Sequence, residues 1–377
     1  MNEEKNRLRT GAFFGFLQSL LMAFSIAIPA FYFNSIGVSL VVYTFLLSIG
    51  DVISFLSKPI IGNLTDKFGE KNFLIAGVLI FVVSLFLLGQ TTDVLLLTIL
   101  KIVSGVAGAI LFVVILIYGL RKVKVEPDKK VGFFGGVKSS GWIFGLLIPG
   151  IFISTFGIGN AFNLILVVGL FWLIATIHFA RKYGIVEKIK VKPSFAFIKK
   201  IPVLMIYKTM DLAMFSTFLF FFIRVGLKDL GLTAAIISIV LAIENVFFAG
   251  NQLLLGKISN KIRRKYWIPL SIISHLIAAW FIINAHSLMD YILGGIFIGL
   301  AGGFMDVWIF SKISEDVEHH NKGKFIGTFG WSYDFATIIG AQLPLLVVAF
   351  GLNQFSALFV YPVVMLLTLM LTIRKKI

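Results

Sequence analysis

The sequence predicts an all-α integral membrane protein: twelve transmembrane helices in two pseudo-symmetric six-helix bundles, with both termini cytoplasmic. Three observations carry this. The 377-residue chain is 58% apolar and only 14% charged, with a mean hydropathy of +0.97; that is too little charge to cover a soluble fold of this length. Apolar runs of about 20 residues recur, the length that crosses about 30 Å of hydrocarbon as helix. Finally, glycine and proline spacings in the first half return 194 or 195 positions later in the second. Runs such as VLIFVVSLFLL are apolar on every face, whereas a β-barrel strand alternates over about 10 residues.

The spans follow from apolar runs between charged or Gly/Asn/Asp punctuation. In the first half they cover 10–33, 39–60, 72–90, 94–120, 131–155 and 160–180. In the second they cover 202–225, 233–255, 267–285, 290–311, 325–349 and 355–373. The charged start MNEEKNRLRT and the run after it, which contains Pro29, have the outline of a signal peptide. The repeat needs that run, so it is read as the first helix. Residues 181–200, RKYGIVEKIKVKPSFAFIKK, form the longest polar link. They separate a bundle over 1–180 from one over 201–377.

Orientation comes from the lysines and arginines. One set of links holds Arg7, Lys67, Lys71, Arg121, Lys130, Arg181, Lys200, Arg263, Lys312 and Lys375, among others. The opposite links (NSIGVS, QTTD, FGIGN, GLKDLG, HSLMD and GLNQF) hold Lys228 alone. The positive-inside rule makes the first set cytoplasmic. The net charge of +16 then reflects topology and attraction to anionic lipid, not a nucleic-acid footprint. The outer links are too short for an ectodomain. The chain has no cysteine, which excludes disulfides, thiol catalysis and cysteine metal sites.

The link after the second span reads GNLTDKFGEK, residues 62–71. Its partner is GKISNKIRRK at 256–265: Gly62 matches Gly256, Asp66 matches Asn260 and Lys67 matches Lys261, all at a shift of 194. In the fifth and eleventh helices, Gly132, Gly135, Gly145 and Pro149 match Gly327, Gly330, Gly340 and Pro344 at 195. Tandem six-helix halves of the same orientation are one of the transporter repeat designs. GNLTDKFGEK resembles the G-x-x-x-D-[RK]-x-G-x-[RK] signature between helices 2 and 3 of the major facilitator superfamily. Two further family elements are altered: Lys101 stands where helix 4 usually carries an arginine, and helix 5 reads GWIFGLLIPG, with its Gly-Pro order inverted.

The resemblance implies alternating access and a conformational latch at Gly62, Asp66, Lys67, Gly69 and Lys71. Asp66 would meet the start of helix 11, near Phe325 to Gly327, where unpaired N–H groups favour an anion. A latch worth on the order of 1–2 kcal/mol shifts a two-state balance about tenfold. Asn260 lacks the charge, so the second copy is expected to be weaker.

Charges at bilayer depth are costly and usually face a cavity or a partner. Asp51 in helix 2 and Glu244 in helix 8 lie near mid-depth, eleven and twelve residues before Gly62 and Gly256. With Asp334 they are the candidate proton carriers, since a carboxyl at such depth can exchange a proton near neutral pH. The family fold lines its cavity with helices 1, 4, 7 and 10 and brings helices 2 and 11, and 5 and 8, together across the halves. This makes Lys138–Glu244 a candidate pair across the halves and places Asp51 beside Tyr333 and Asp334. Lys101, Lys138, Lys208, Asp211, Asp306 and Tyr333 are the cavity candidates. Lys208 and Asp211, at i,i+3, are expected to pair with each other. Asp306 is expected to gate or to pair with Lys312.

His319 and His320 read as a solvated loop, and His275 and His286 carry little weight on a peripheral helix 9. Gly295, Gly299 and Gly303 form a small-residue packing stripe. No nucleotide-binding G-x-x-x-x-G-K-[ST] and no nucleophile–base arrangement occurs. The expected function is therefore non-enzymatic: secondary, proton-coupled transport of a small organic solute. It needs no cofactor and no metal, and acts as a monomer in the cytoplasmic membrane. Export of an amphipathic compound by antiport is favoured. The alternatives are proton-driven uptake of an anionic metabolite, or a membrane sensor or scaffold that transports nothing.

Overall fold

The computed structural model describes residues 2–68, 70–120, 127–182, 202–258, 266–316 and 329–374. Among these the chain is all helix, in twelve long elements. They are α1 Asn2–Ser35, α2 Leu40–Phe68, α3 Glu70–Leu88, α4 Val94–Leu120, α5 Pro127–Phe156 and α6 Ile158–Lys182. The second half has α7 Pro202–Lys228, α8 Ala234–Ile258, α9 Trp267–Ile283, α10 Leu288–Asp316, α11 Trp331–Ala349 and α12 Val360–Arg374. A 3₁₀ turn over Gln354–Phe359 leads into α12. Ten of the described helices are long and apolar enough to span a membrane, while α3 and α9 have shorter apolar stretches. Most of α1 and α7 is buried within the protein, and most of α6 faces outward.

The repeat reaches into the turns and caps. Gly37 and Gly231 adopt φ of 73° and 60°, and Gly157 and Gly351 adopt 81° and 76°. Each pair is again offset by 194, and each glycine supplies the left-handed residue that a tight helix–helix link needs. Ser39 Oγ accepts from the Val42 N–H at the start of α2, and Thr233 Oγ1 from the Ile236 N–H at the start of α8. Asp93 caps α4 through the Leu96 N–H at 2.8 Å, and Ser287 occupies the matching place before α10.

Within the first half, α1 packs on α4, α5 and α6, α2 on α4, and α3 on α4 and α6. Within the second, α7 packs on α10, α11 and α12, and α8 and α9 on α10. Glycines set the closest crossings. A Cβ on Gly145 would lie 2.7 Å from the Leu20 carbonyl of α1, and one on Gly340 would lie 2.8 Å from the Ala213 carbonyl of α7. The anticipated glycine stripe of α10 does pack closely: Gly299 lies against the Glu244 carbonyl and Gly303 against Asn251 of α8. The halves meet chiefly at two junctions, α5 with α8 and α2 with α11, with lesser packing of α5 on α10 and α1 on α7.

Candidate functional site

A cavity of about 150 Å³ lies where the halves meet. It is walled by Gln18, Ser19 and Met22 of α1, Asp51, Ser54 and Lys58 of α2, and Lys101, Ser104 and Phe112 of α4. Lys138 and Trp142 of α5, Leu212 and Phe215 of α7, and Tyr333, Asp334 and Thr337 of α11 complete the wall. Helices α1, α4 and α7 contribute as the resemblance implies. Helix α10 does not, and α2, α5 and α11 take its place.

The sequence explains several of these positions. Gly50 and Gly105 let α2 and α4 cross closely: a Cβ on Gly50 would sit 3.1 Å from the Lys101 carbonyl, and one on Gly105 would collide with the Gly50 carbonyl. This crossing brings Lys101 within electrostatic reach of Asp51, together with Lys58 and Asp334. Gly15 accepts the stem of Lys138, whose Cβ would lie 3.3 Å from a Cβ added there. The Lys138 ammonium makes no hydrogen bond or ion pair among the described residues. Its Nζ is 6.0 Å from the centre of the Tyr333 ring.

Contacts between the halves lie on both sides of the cavity. At the end bearing the 35–40 link, the Tyr43 hydroxyl donates to the Phe220 carbonyl at 2.9 Å. There Arg224 also donates to Asn34 Oδ1 at 3.3 Å, and Gln342 donates to Ser48 Oγ at 2.9 Å. At the opposite end, Lys58 Nζ donates to Asp334 Oδ2 at 2.7 Å and to the Gly330 carbonyl at 2.9 Å. The same ammonium lies 4.2 Å from the Phe112 ring centre, a cation–π contact. Phe112 in turn contacts Tyr333, with ring centres 5.0 Å apart.

The second-half charges form a buried chain behind Tyr333. Ser139 Oγ of α5 donates to Gln252 Oε1 of α8 at 2.9 Å, and Gln252 Nε2 donates to Asp306 Oδ2 of α10 at 2.9 Å. Asp306 Oδ1 lies 2.5 Å from Lys208 Nζ, which donates to Asp211 Oδ2 at 2.7 Å. His275 Nε2 of α9 is 3.3 Å from Asp211 Oδ1.

Three expectations are corrected here. Lys208, Asp211 and Asp306 are not among the cavity wall residues; they pair with one another, and Lys208 reaches the wall through Tyr333, its Nζ 5.4 Å from that ring centre. Asp306 pairs with Lys208 and Gln252 and not with Lys312. Lys138 and Glu244 do not pair: the Glu244 carboxyl accepts from Asn245 and its backbone lies against Gly299 of α10. The expected Lys208–Asp211 pair does form. Asp51, Asp334, Lys101, Lys138 and Tyr333 share the cavity wall. Of the latch residues, Gly69 and the helix 11 start at 325–327 lie outside the described residues, as do the side chains of Asp66, Lys67 and Lys71 and the packing of Gly62. His319 and His320 lie outside them too.

Lys58 and Gln252 went unnoticed in the sequence, and His275 carried little weight there. Lys58 lies inside the 39–60 run, the same signal that singled out Lys101 and Lys138. The repeat also marks it, since Lys58 and Gln252 both lie four residues before the glycines of GNLTDKFGEK and GKISNKIRRK. His275 is a lone ionisable group in an apolar helix, and only the fold brings it to Asp211.

The sequence profile of the Major Facilitator Superfamily matches residues 11–341. The chain is 25% identical over 270 residues to multidrug resistance protein 2 of Bacillus subtilis, covering 66% of each chain. The human organic anion transporter MFSD10 superposes with a TM-score of 0.71 at 14% identity, over 96% of this chain and 98% of that one. The proton:xylose symporter XylE gives 0.68 at 16% identity, over 98% and 96%. These two likenesses concern the fold alone. The chain belongs to the major facilitator superfamily, a family of membrane transporters and not of enzymes.

Proposed function

We propose that this chain is a secondary active transporter that exports a small amphipathic organic solute by alternating access, in antiport with protons. The observation that carries the reading is a cavity between the halves, with different side-chain contacts between the halves on either side of it. The cavity wall mixes aromatic rings with a few charges, as small-molecule sites do. The Bacillus subtilis relative is named for multidrug resistance, which favours export. In this reading residues 1–180 and 201–377 move as bundles joined by 181–200, in the cytoplasmic membrane with both termini inside. The α2/α11 junction separates during the cycle, while α5/α8 serves as the pivot.

Asp51 is the favoured proton carrier. It faces the cavity with no hydrogen bond among the described residues, between Lys101 and the Lys58–Asp334 pair. Protonation would remove its repulsion of Asp334 and its attraction for Lys101, so proton binding and the α2/α11 contact share one electrostatic cluster. Glu244 faces α10, and Asp334 is held by Lys58, which ranks both below Asp51. The Asp66 latch acts on the same α2 helix.

Flux of amphipathic dyes of each charge type into proteoliposomes tests the reading. A proton gradient should accelerate the transported dye in the parent protein and leave Asp51→Asn unaffected. Undiminished proton drive in Asp51→Asn would discard Asp51. Absence of any flux in the parent protein would favour a sensor or scaffold.

A further inference from the structure

We propose that the cavity selects an aromatic organic anion, with Lys138 binding its acid group. The inference rests on the transport reading and names the class of solute. Three lysines line the cavity, Lys58, Lys101 and Lys138, against two aspartates, Asp51 and Asp334. Lys58 is committed to Asp334 and the Gly330 carbonyl. Lys101 makes no direct ion pair among the described residues, but Asp51, on the same cavity wall, acts on it. Lys138 is left over. The charges that act on it, Asp306 and Lys208, are not among the cavity wall residues and are paired with each other.

A cation that faces the cavity without a direct partner is a strong point of recognition for a carboxylate, since charge-assisted hydrogen bonds are roughly twice as strong as neutral ones. The walls near it are aromatic. Trp142, one turn further along α5, meets Phe215 edge-on with ring centres 5.8 Å apart, and Tyr333 faces Lys138 across the cavity. A cavity of about 150 Å³ is enough for a benzene-sized ring. On the α1 wall, Gln18 is 2% exposed and its side-chain oxygen has no hydrogen-bond partner. A hydroxyl on the ligand that reaches it would satisfy a buried acceptor, whose isolation is costly.

Three probes share a phenol ring and differ in head-group charge: 4-hydroxyphenylacetate, 4-hydroxyphenylacetamide and tyramine. Binding to the purified full chain is read by thermal shift and titration calorimetry, and movement by counterflow in proteoliposomes. The acid should bind about tenfold or more tightly than the amide or the amine, a gap of roughly 1.4 kcal/mol. Lys138→Met should erase that preference and Lys138→Arg should keep it. Binding of the amide or amine as tight as that of the acid, or of none of the three, would overturn the proposal. So would a preference that survives in Lys138→Met. The parent-protein comparison alone decides if that variant does not fold. Counterflow of the amine or amide without the acid would sink the anion inference and leave the transport reading standing. Binding of the acid with no counterflow of any probe would do the reverse.

Discussion

The two junctions between the halves are related by the sequence repeat, yet they are built from opposite chemistry. On one side Lys58 of α2 meets Asp334 of α11 beneath Phe112 of α4. On the other, Gln252 of α8 meets Ser139 of α5 and is held by Asp306 of α10. Lys58 and Gln252, like Phe112 and Asp306, are 194 positions apart, and Ser139 and Asp334 are 195 apart. The replacement of charge by amide runs along the whole helix: Asp51, Lys58 and Asp66 of α2 correspond to Asn245, Gln252 and Asn260. An ion pair responds to protonation and to a charged ligand, whereas an amide–hydroxyl contact does not. The α5/α8 junction is also closer. Cβ atoms on Gly132 would lie 2.8 Å from the Gln252 carbonyl and the Gly256 Cα, and Gly150 sits against Ser238. The α2/α11 contact is instead made by side chains such as Phe55, Trp331 and Phe335. Two copies of one helix pair thus supply one junction built on an ion pair and one built on an amide–hydroxyl contact.

The sharpest way to break this comparison is to remove Lys58. Lys58→Met strands the Asp334 carboxylate in the interior and should cost about 3–5 kcal/mol in thermal unfolding. Adding Asp334→Leu should recover most of it. A mild effect of the single change would mean that the pair is not the keystone of its junction. Next comes Asp66→Asn, which should slow transport about tenfold, in line with a latch of on the order of 1–2 kcal/mol. Asn260→Asp should leave the rate unchanged, and equal indifference at both sites would remove the latch. Gly132→Ala should cost about 1–3 kcal/mol of stability, because backbone and not a flexible side chain stands in the way. Smallest is Ser139→Ala, at about 1 kcal/mol, with no change in the pH dependence of flux.

Much of this was legible in the chain. The apolar runs gave all twelve helices because lipid leaves a spanning backbone little alternative. The glycine spacings gave the repeat because close helix crossings demand glycine. The site was legible in depth but not in direction. Asp51 and Glu244 lie at equivalent depth, yet the repeat equivalent of Asp51 is Asn245. One residue turns a helix by about 100°, and that turn carries Glu244 off the cavity and onto α10. The same limit hid the partner of Asp306, which required the relative rotation of α7, α8 and α10. Lys58 escaped notice beside a polar link, where a lysine reads as the end of a span.

The claim that one junction moves while its twin holds can be measured directly. The chain has no native cysteine, so spin labels can be placed at will. Ile60 and Phe335 flank the α2/α11 junction, and Leu254 and Ser140 are their repeat equivalents at α5/α8. Electron–electron distances for both pairs in nanodiscs, before and after acidification and on addition of a transported solute, test the claim. The account predicts a second, longer distance for Ile60–Phe335 and a single unchanged distance for Leu254–Ser140. Equal movement at both junctions, or movement at α5/α8 alone, would contradict it.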